Sequence, residues 1–238
     1  MLTRRDYLSA AAAALLAAGI PGLARAQSLA DTDALKVPAP KGATVLLNGS
    51  DLSAWVNRKD GQPAGWTTGD GWIEVKPGNG DIITRERFQD YRLHVEFWLP
   101  YMPEASGQGR ANSGVYNQGR LEVQVLDSYG QPPRDNEAGG IYQVAVPLRN
   151  ASKKPAHWQC YDIVYRAPRF GSDGKQTEKG RVAVRHNGLV IHNNVEFDAR
   201  TTTSGLPPEN NDYSKPGPIL LQDHGNKVRY RNIWIVPM

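Results

Sequence analysis

Glu122, Gln124 and Asp127 fall within one short run, LEVQVLD, in which apolar and polar side chains alternate. Alternation of that period is the signature of a half-buried strand. Val123 and Val125 then point into a core, while Glu122 and Gln124 stand side by side on the opposite face. In a regular strand Asp127 joins the valines; a one-residue bulge near Leu126 swings it round to Glu122. An acid, an amide and a second acid on one sheet face can hold a polar substrate and move protons. A strand whose polar side simply meets water has the same pattern.

A second polar group lies near the C-terminus, where ILLQDHG places Gln222 and His224 on one face of a strand end. Strand ends and the loops beyond them are where a scaffold carries chemistry. A third lies in YRLHVEFWL, with Leu93, Val95 and Phe97 on one face and His94, Glu96 and Trp98 on the other. The expectation is one concave face shared by Glu96, Glu122, Gln124, Gln222 and His224. Asn112 and Tyr116, from NSGVYNQG, are further candidates to touch substrate. Among the six tryptophans, Trp55, Trp66 and Trp98 have Gly, turn or polar neighbours and are the candidates to stack on a sugar ring. The others read as core.

Several chemistries are excluded by what is missing. His94, His157, His186 and His192 show no His-x-His or HExxH spacing, so no catalytic metal and no cofactor are expected. Calcium held by loop carboxylates and carbonyls stays open, although no EF-hand-like loop is present. No Gly-x-Ser-x-Gly elbow, phosphate loop or dinucleotide fingerprint occurs.

The elements that must position these residues are short strands. The 238 residues include 24 Gly and 17 Pro, and no stretch after the N-terminus sustains a helical period. TVLLNGSDLSAW opens a domain at residue 43 or 44, followed by a hairpin across Asp70-Gly71 and strands at Asp81–Thr84 and Tyr91–Leu99. Further strands are Trp158–Arg166 and Arg181–His186, with Asn187-Gly188 turning into LVIH, then Ile219–His224 and Val228–Val236. The stretch from Asp198 to Pro216 is polar and turn-rich. About a dozen strands without helices imply two packed antiparallel sheets, a jelly-roll-like sandwich filling residues 43–238 as one domain.

The first 26 residues read as an address. A charged start with Arg4 and Arg5, an Ala/Leu run and Ala24-Arg25-Ala26 make a signal peptide cleaved after Ala26. The arginine pair resembles a twin-arginine export signal, so the expected compartment is the periplasm. The apolar run is too short for a membrane anchor, and residues 27–42 read as a flexible lead-in. The formal charge of +4 falls to +2 without the three arginines and one aspartate of the leader. No basic stripe with interleaved aromatics appears, which speaks against nucleic acid as a partner. Cys160, alone in its kind, excludes an intrachain disulfide. The oligomeric state is not legible.

Two resemblances bear on function. Glu122-Val-Gln124-Val-Leu-Asp127 resembles the Glu-x-Asp-x-x-Glu strand of laminarinase-type glucanases, with Gln for the middle Asp and a shorter Asp for the last Glu. Both changes count against a retaining two-carboxylate hydrolase. From Thr44 onward the chain resembles the 3-keto-disaccharide hydrolase domain family more closely. The segments LLNGSDLSAW, NSGVYNQGRLEVQVLD, WQCYDIVYRAPRF, VRHNGLVIHNNVE and GPILLQDHGNKVRYRNIWI carry that resemblance, in family order. It implies a concanavalin A-like sandwich and cleavage of glycosides whose sugar is already oxidised to a ketone at C3. Such a ketone acidifies the C2 proton, so a base removes it, the C1 oxygen is expelled, and water adds. The candidate proton shuttles are Glu122 or His224, with Asp127 as an acid or an orienter of His224 and Gln124 and Gln222 as donors to sugar oxygens. Carbohydrate is the expected partner, and a non-catalytic sugar-binding module is the competing reading.

Overall fold

The computed structural model describes residues 35–199, 201 and 212–238. The signal peptide, the first part of the lead-in and most of the turn-rich stretch before Pro216 lie outside them. Among the described residues there is no α-helix. The first eight strands are β1 (Thr44–Leu47), β2 (Trp55–Asn57), β3 (Thr67–Gly69), β4 (Trp72–Glu74), β5 (Ile82–Thr84), β6 (Tyr91–Trp98), β7 (Ser113–Asn117) and β8 (Leu121–Val125). The next five are β9 (Trp158–Arg166), β10 (Arg169–Phe170), β11 (Gln176–Glu178), β12 (Gly180–His186) and β13 (Leu189–Phe197). β14 (Leu220–Leu221) and β15 (Arg229–Pro237) complete the set.

Two antiparallel sheets form the body. The larger runs β13-β12-β9-β6-β15-β4-β3, with β1 also paired to β15; the smaller runs β2-β5-β14-β7-β8. Tight turns follow the left-handed backbone rule, in a two-residue loop between β12 and β13 and a three-residue loop between β7 and β8. Asn187 and Gly188 have φ of 50° and 81°, and Gln118 and Gly119, between β7 and β8, have 53° and 64°. Alternation along each strand sends one set of side chains inward. Leu93, Val95 and Phe97 from β6 meet Val115, Val123, Val125 and Leu221 from the smaller sheet in one buried core. Each such side chain contributes about 1.5–3 kcal/mol by leaving water, so the two inner faces hold the sandwich together.

On the outer face of the larger sheet Glu96 and Trp98 are engaged by neighbouring side chains, and two expectations change with it. Glu96 is fully buried there. It accepts Arg231 Nε at 2.6 Å and Asn232 Nδ2 at 2.9 Å, with His94 Nε2 3.5 Å away and the Lys36 amide also donating to it. A bulge in β15, where Asn232 takes φ 44°, aims that amide at Glu96. Trp98 lies on the same outer face beneath Arg229, whose guanidinium carbon is 4.5 Å from the ring centre. The lead-in contributes to this cover: the Val37 carbonyl accepts from Trp234 Nε1 and Asn232 Nδ2, both at 3.0 Å. Its described end is therefore docked rather than loose. No helix of the described residues is long and apolar enough to cross a membrane.

Candidate active site

The β7–β8 hairpin and β14 build a cleft on the outer face of the smaller sheet. Register decides who meets whom. Tyr116 lies opposite Glu122, Gly114 opposite Gln124, and Leu220 opposite Tyr116. One residue past β14, the Gln222 amide donates to the Gly114 carbonyl at 3.1 Å. Glu122, Gln124, Tyr116 and Gln222 therefore converge. With Gln108, Asn112, Tyr142 and His224 they line a cleft of about 160 Å³.

Glu122 is its acid. Its side chain is nearly enclosed, and the Tyr116 hydroxyl hydrogen-bonds its carboxylate. Burial pushes the Glu122 carboxyl up to about 8; the Tyr116 bond opposes the rise and the charge of Asp81 adds to it. The Tyr116 hydroxyl is itself raised far above the usual phenol range, by burial and then by the Glu122 charge, so it stays a neutral donor. It accepts in turn from Gln222 Nε2 at 2.9 Å. Glycine inside a strand signals close approach. At Gly114 an added Cβ collides with the Glu122 carboxylate and the Tyr116 ring. Gly114→Ala is expected to lower turnover about tenfold or more by displacing the carboxylate, with circular dichroism checking that the sheets are kept. Unchanged kinetics in a folded Gly114→Ala protein would contradict that role for the glycine.

A chain of amides gives the cleft its polarity. Gln108 Nε2 donates to the Asn136 backbone carbonyl at 2.7 Å, which turns its own Oε1 toward Gln124 and Asn112. Gln124 Nε2 donates to that oxygen at 3.0 Å, and Asn112 Nδ2 donates to it at 3.2 Å and to the Gln108 carbonyl at 2.7 Å. Both amides have therefore spent their donors. Asn112 Oδ1, Gln124 Oε1 and Gln222 Oε1 are buried with no hydrogen-bond partner. A buried acceptor without a donor costs about 1–3 kcal/mol, so three in one cleft mark a place for a ligand that brings hydroxyl protons. Ala111, buried in left-handed backbone with φ 53°, supplies the kink that turns Asn112 toward Gln108.

The structure thus brings together Glu122, Gln124, Gln222, His224, Asn112 and Tyr116, with His224 exposed at the lip. It separates four expected residues from them. Glu96 is on the other sheet, because alternation sets a face but not the sheet that carries it. Trp55 is fully buried in β2, its Nε1 donating to the Leu46 carbonyl at 2.7 Å, so it packs the core. Trp66 is likewise buried, against Tyr230. Asp127 lies past the end of β8, its carboxylate 3.4 Å from Arg110 Nε and its Oδ1 accepting the Tyr129 amide, outside the cleft lining. Gln108 and Tyr142 were not foreseen. Both sit in loops without periodicity, and only the glycine of NSG hinted at crowding.

Among the described residues Glu122 is the one carboxylate lining this cleft, and no group of His, Cys, Asp or Glu converges as a metal site. A buried acid beside unpartnered amide oxygens, on the outer face of a jelly-roll sandwich, is suited to holding a carbohydrate. Comparison with known proteins makes this more specific. The chain belongs to the family of 3-keto-alpha-glucoside-1,2-lyase-like domains, whose model matches residues 42–236. A solved structure of an inferred glycosyl hydrolase from Parabacteroides distasonis is similar at 41% identity and TM-score 0.75, over 84% of this chain and 85% of that one. A second inferred glycosyl hydrolase from the same organism shares the fold at 21% identity and TM-score 0.60, over 85% of this chain and 98% of that one. No curated protein matches.

Proposed function

We propose that the protein cleaves glycosides whose sugar carries a ketone at C3, by elimination across C1 and C2. The observation that carries this reading is Glu122: a single carboxylate, buried, and held at about 8 where it can both take and return a proton near neutral pH. Ionised Glu122 takes the C2 proton, and the C–H electrons pass into an enolate on the C3 oxygen. The enolate re-forms the ketone, opens a C1–C2 double bond and expels the C1 oxygen. That oxygen leaves with a proton from His224 at the lip. Water adding across the double bond turns elimination into net hydrolysis. The substrate's own ketone is the electron sink, so the route calls for no cofactor. The free oxygens of Asn112, Gln124 and Gln222 hold the sugar through its hydroxyls, while Tyr116 holds the base. A two-carboxylate hydrolase is disfavoured because Asp127 is tied to Arg110. The family's 1,2-lyase description supports the same bond change. The setting we propose is periplasmic, on the Arg4-Arg5 leader alone.

The test is mass spectrometry in heavy water on a 3-keto-disaccharide beside its unoxidised parent. The expected result is cleavage of the keto sugar alone, with deuterium at C2 of the hydrated product. On the acid limb of the pH profile the rate is expected to rise toward about 8, as Glu122 ionises. Cleavage of the parent, or a product without deuterium, overturns elimination; binding without turnover leaves a lectin.

A further inference from the structure

Beside the Glu122 cleft, on the same outer face, lies a larger hollow of about 670 Å³. The two share a wall, since Leu220 on the hollow side pairs with Tyr116 on the cleft side. Asp81, in the hollow, accepts the Asp223 amide at 3.0 Å, between Gln222 and His224. Small-molecule sites occupy roughly 300–1,000 Å³. The cleft alone is below that range, and cleft and hollow together stay within it, which leaves room for a two-unit substrate to span both.

The hollow is built for negative charge. Among the described residues that line it, Arg58, Lys59, Arg87 and Arg120 stand against one carboxylate, Asp81, which Arg58 already holds at 3.0 Å. Arg120 is fixed in place and only 5% exposed. The left-handed Gln118-Gly119 turn delivers it, Gln118 Oε1 and the Lys215 carbonyl accept from it at 3.0 and 3.2 Å, and the Tyr213 ring lies 5.0 Å away. Asp212 and Arg87 both lie near enough to act on Arg120, the first favouring its charge and the second opposing it. Like charges held together in a concave, half-enclosed site focus positive potential. A guanidinium fork matches a carboxylate with two parallel hydrogen bonds.

We propose that this hollow is the subsite for the leaving-group half of the substrate and that it selects a unit bearing a carboxylate, such as a uronic acid. The inference rests on Glu122 as the cleavage site. The test compares two 3-keto-disaccharides that differ only in the second unit, glucuronic acid or glucose. Wild type, Arg87→Gln and Arg87→Glu are measured on both; Arg87 is exposed, so its variants fold. Wild type is expected to favour the acidic sugar about tenfold in kcat/KM at low salt. The ratio falls toward one in Arg87→Gln, below one in Arg87→Glu, and shrinks with added salt. An equal ratio in all three proteins overturns the subsite. If neither sugar is cleaved, the cleavage reading fails by itself, and calorimetry with glucuronate and glucose still decides the hollow. Saturable binding of glucuronate alone, lost in Arg87→Glu, upholds it; equal or absent binding overturns it.

Discussion

Glu122→Gln is expected to lower kcat/KM on a 3-keto-disaccharide by at least 100-fold and, at the same time, to give a protein more stable than wild type above neutral pH. The two effects have one cause. In the folded chain the carboxyl titrates at about 8, against an ordinary value of 4.5. A raised folded value contributes stability in full below about 4.5, and that contribution is lost as pH rises through about 8. Wild type at pH 9 thus carries a buried charge that glutamine never acquires, a difference of roughly 2–4 kcal/mol. Denaturant titrations at pH 5 and pH 9, run beside the rate measurements, check it. The stability gap between the two proteins should open with pH. Near-full activity in a folded Glu122→Gln protein would remove Glu122 from the chemistry, whatever its stability.

Glu96→Gln is expected to do the reverse: to destabilise by about 3 kcal/mol and leave kcat/KM of the folded protein intact. Burial by itself raises the Glu96 carboxyl, but bonds from His94, Asn232, Arg231 and the Lys36 amide outweigh it and hold it down to about 2. A depressed value gives stability that is present above about 4.5 and lost as pH falls through about 2. His94 moves the other way. Burial lowers it, yet Asp162, at 2.7 Å, and Glu96 carry it up to about 9. Its contribution is full below about 6.5 and lost as pH rises through about 9. The outer cluster therefore works best between about pH 4.5 and 6.5. Melting temperatures at pH 3, 5.5 and 9 should show wild type and Glu96→Gln furthest apart at pH 5.5. Coincident melts there would mean that the cluster adds nothing.

The contrast between these two glutamates also shows how far the sequence can be read. Period-two alternation put Glu122 and Gln124 opposite Val123 and Val125, and it put Glu96 opposite Leu93, Val95 and Phe97, correctly in both strands. What alternation does not contain is the pairing partner. β6 pairs with β9 and β15, far away along the chain, and β15 brings Arg231 and Asn232 over Glu96. Trp55 misled for a related reason: its turn-like neighbours are real, but three residues of strand are enough to face it inward. Asp127 depended on whether the strand continued, and β8 stops at Val125. Gln108 was invisible because a side chain that orients other side chains from a loop leaves no spacing to detect.

The order of strands sets a limit on when this protein can exist as a folded object. β14 is the middle strand of the smaller sheet, between β5 and β7, and β15 lies between β6 and β4 in the larger. Both come from the last residues of the chain. Until they arrive, each sheet is split, with paired edges open to any other strand. A fragment that ends before Leu220 therefore lacks part of the Glu122 site, and a ribosome-bound chain cannot complete either sheet before β14 and β15 emerge. Pairing strands so far apart along the chain makes slow folding the expectation. Chains truncated before residue 220 should accumulate as aggregates rather than as partly active enzyme.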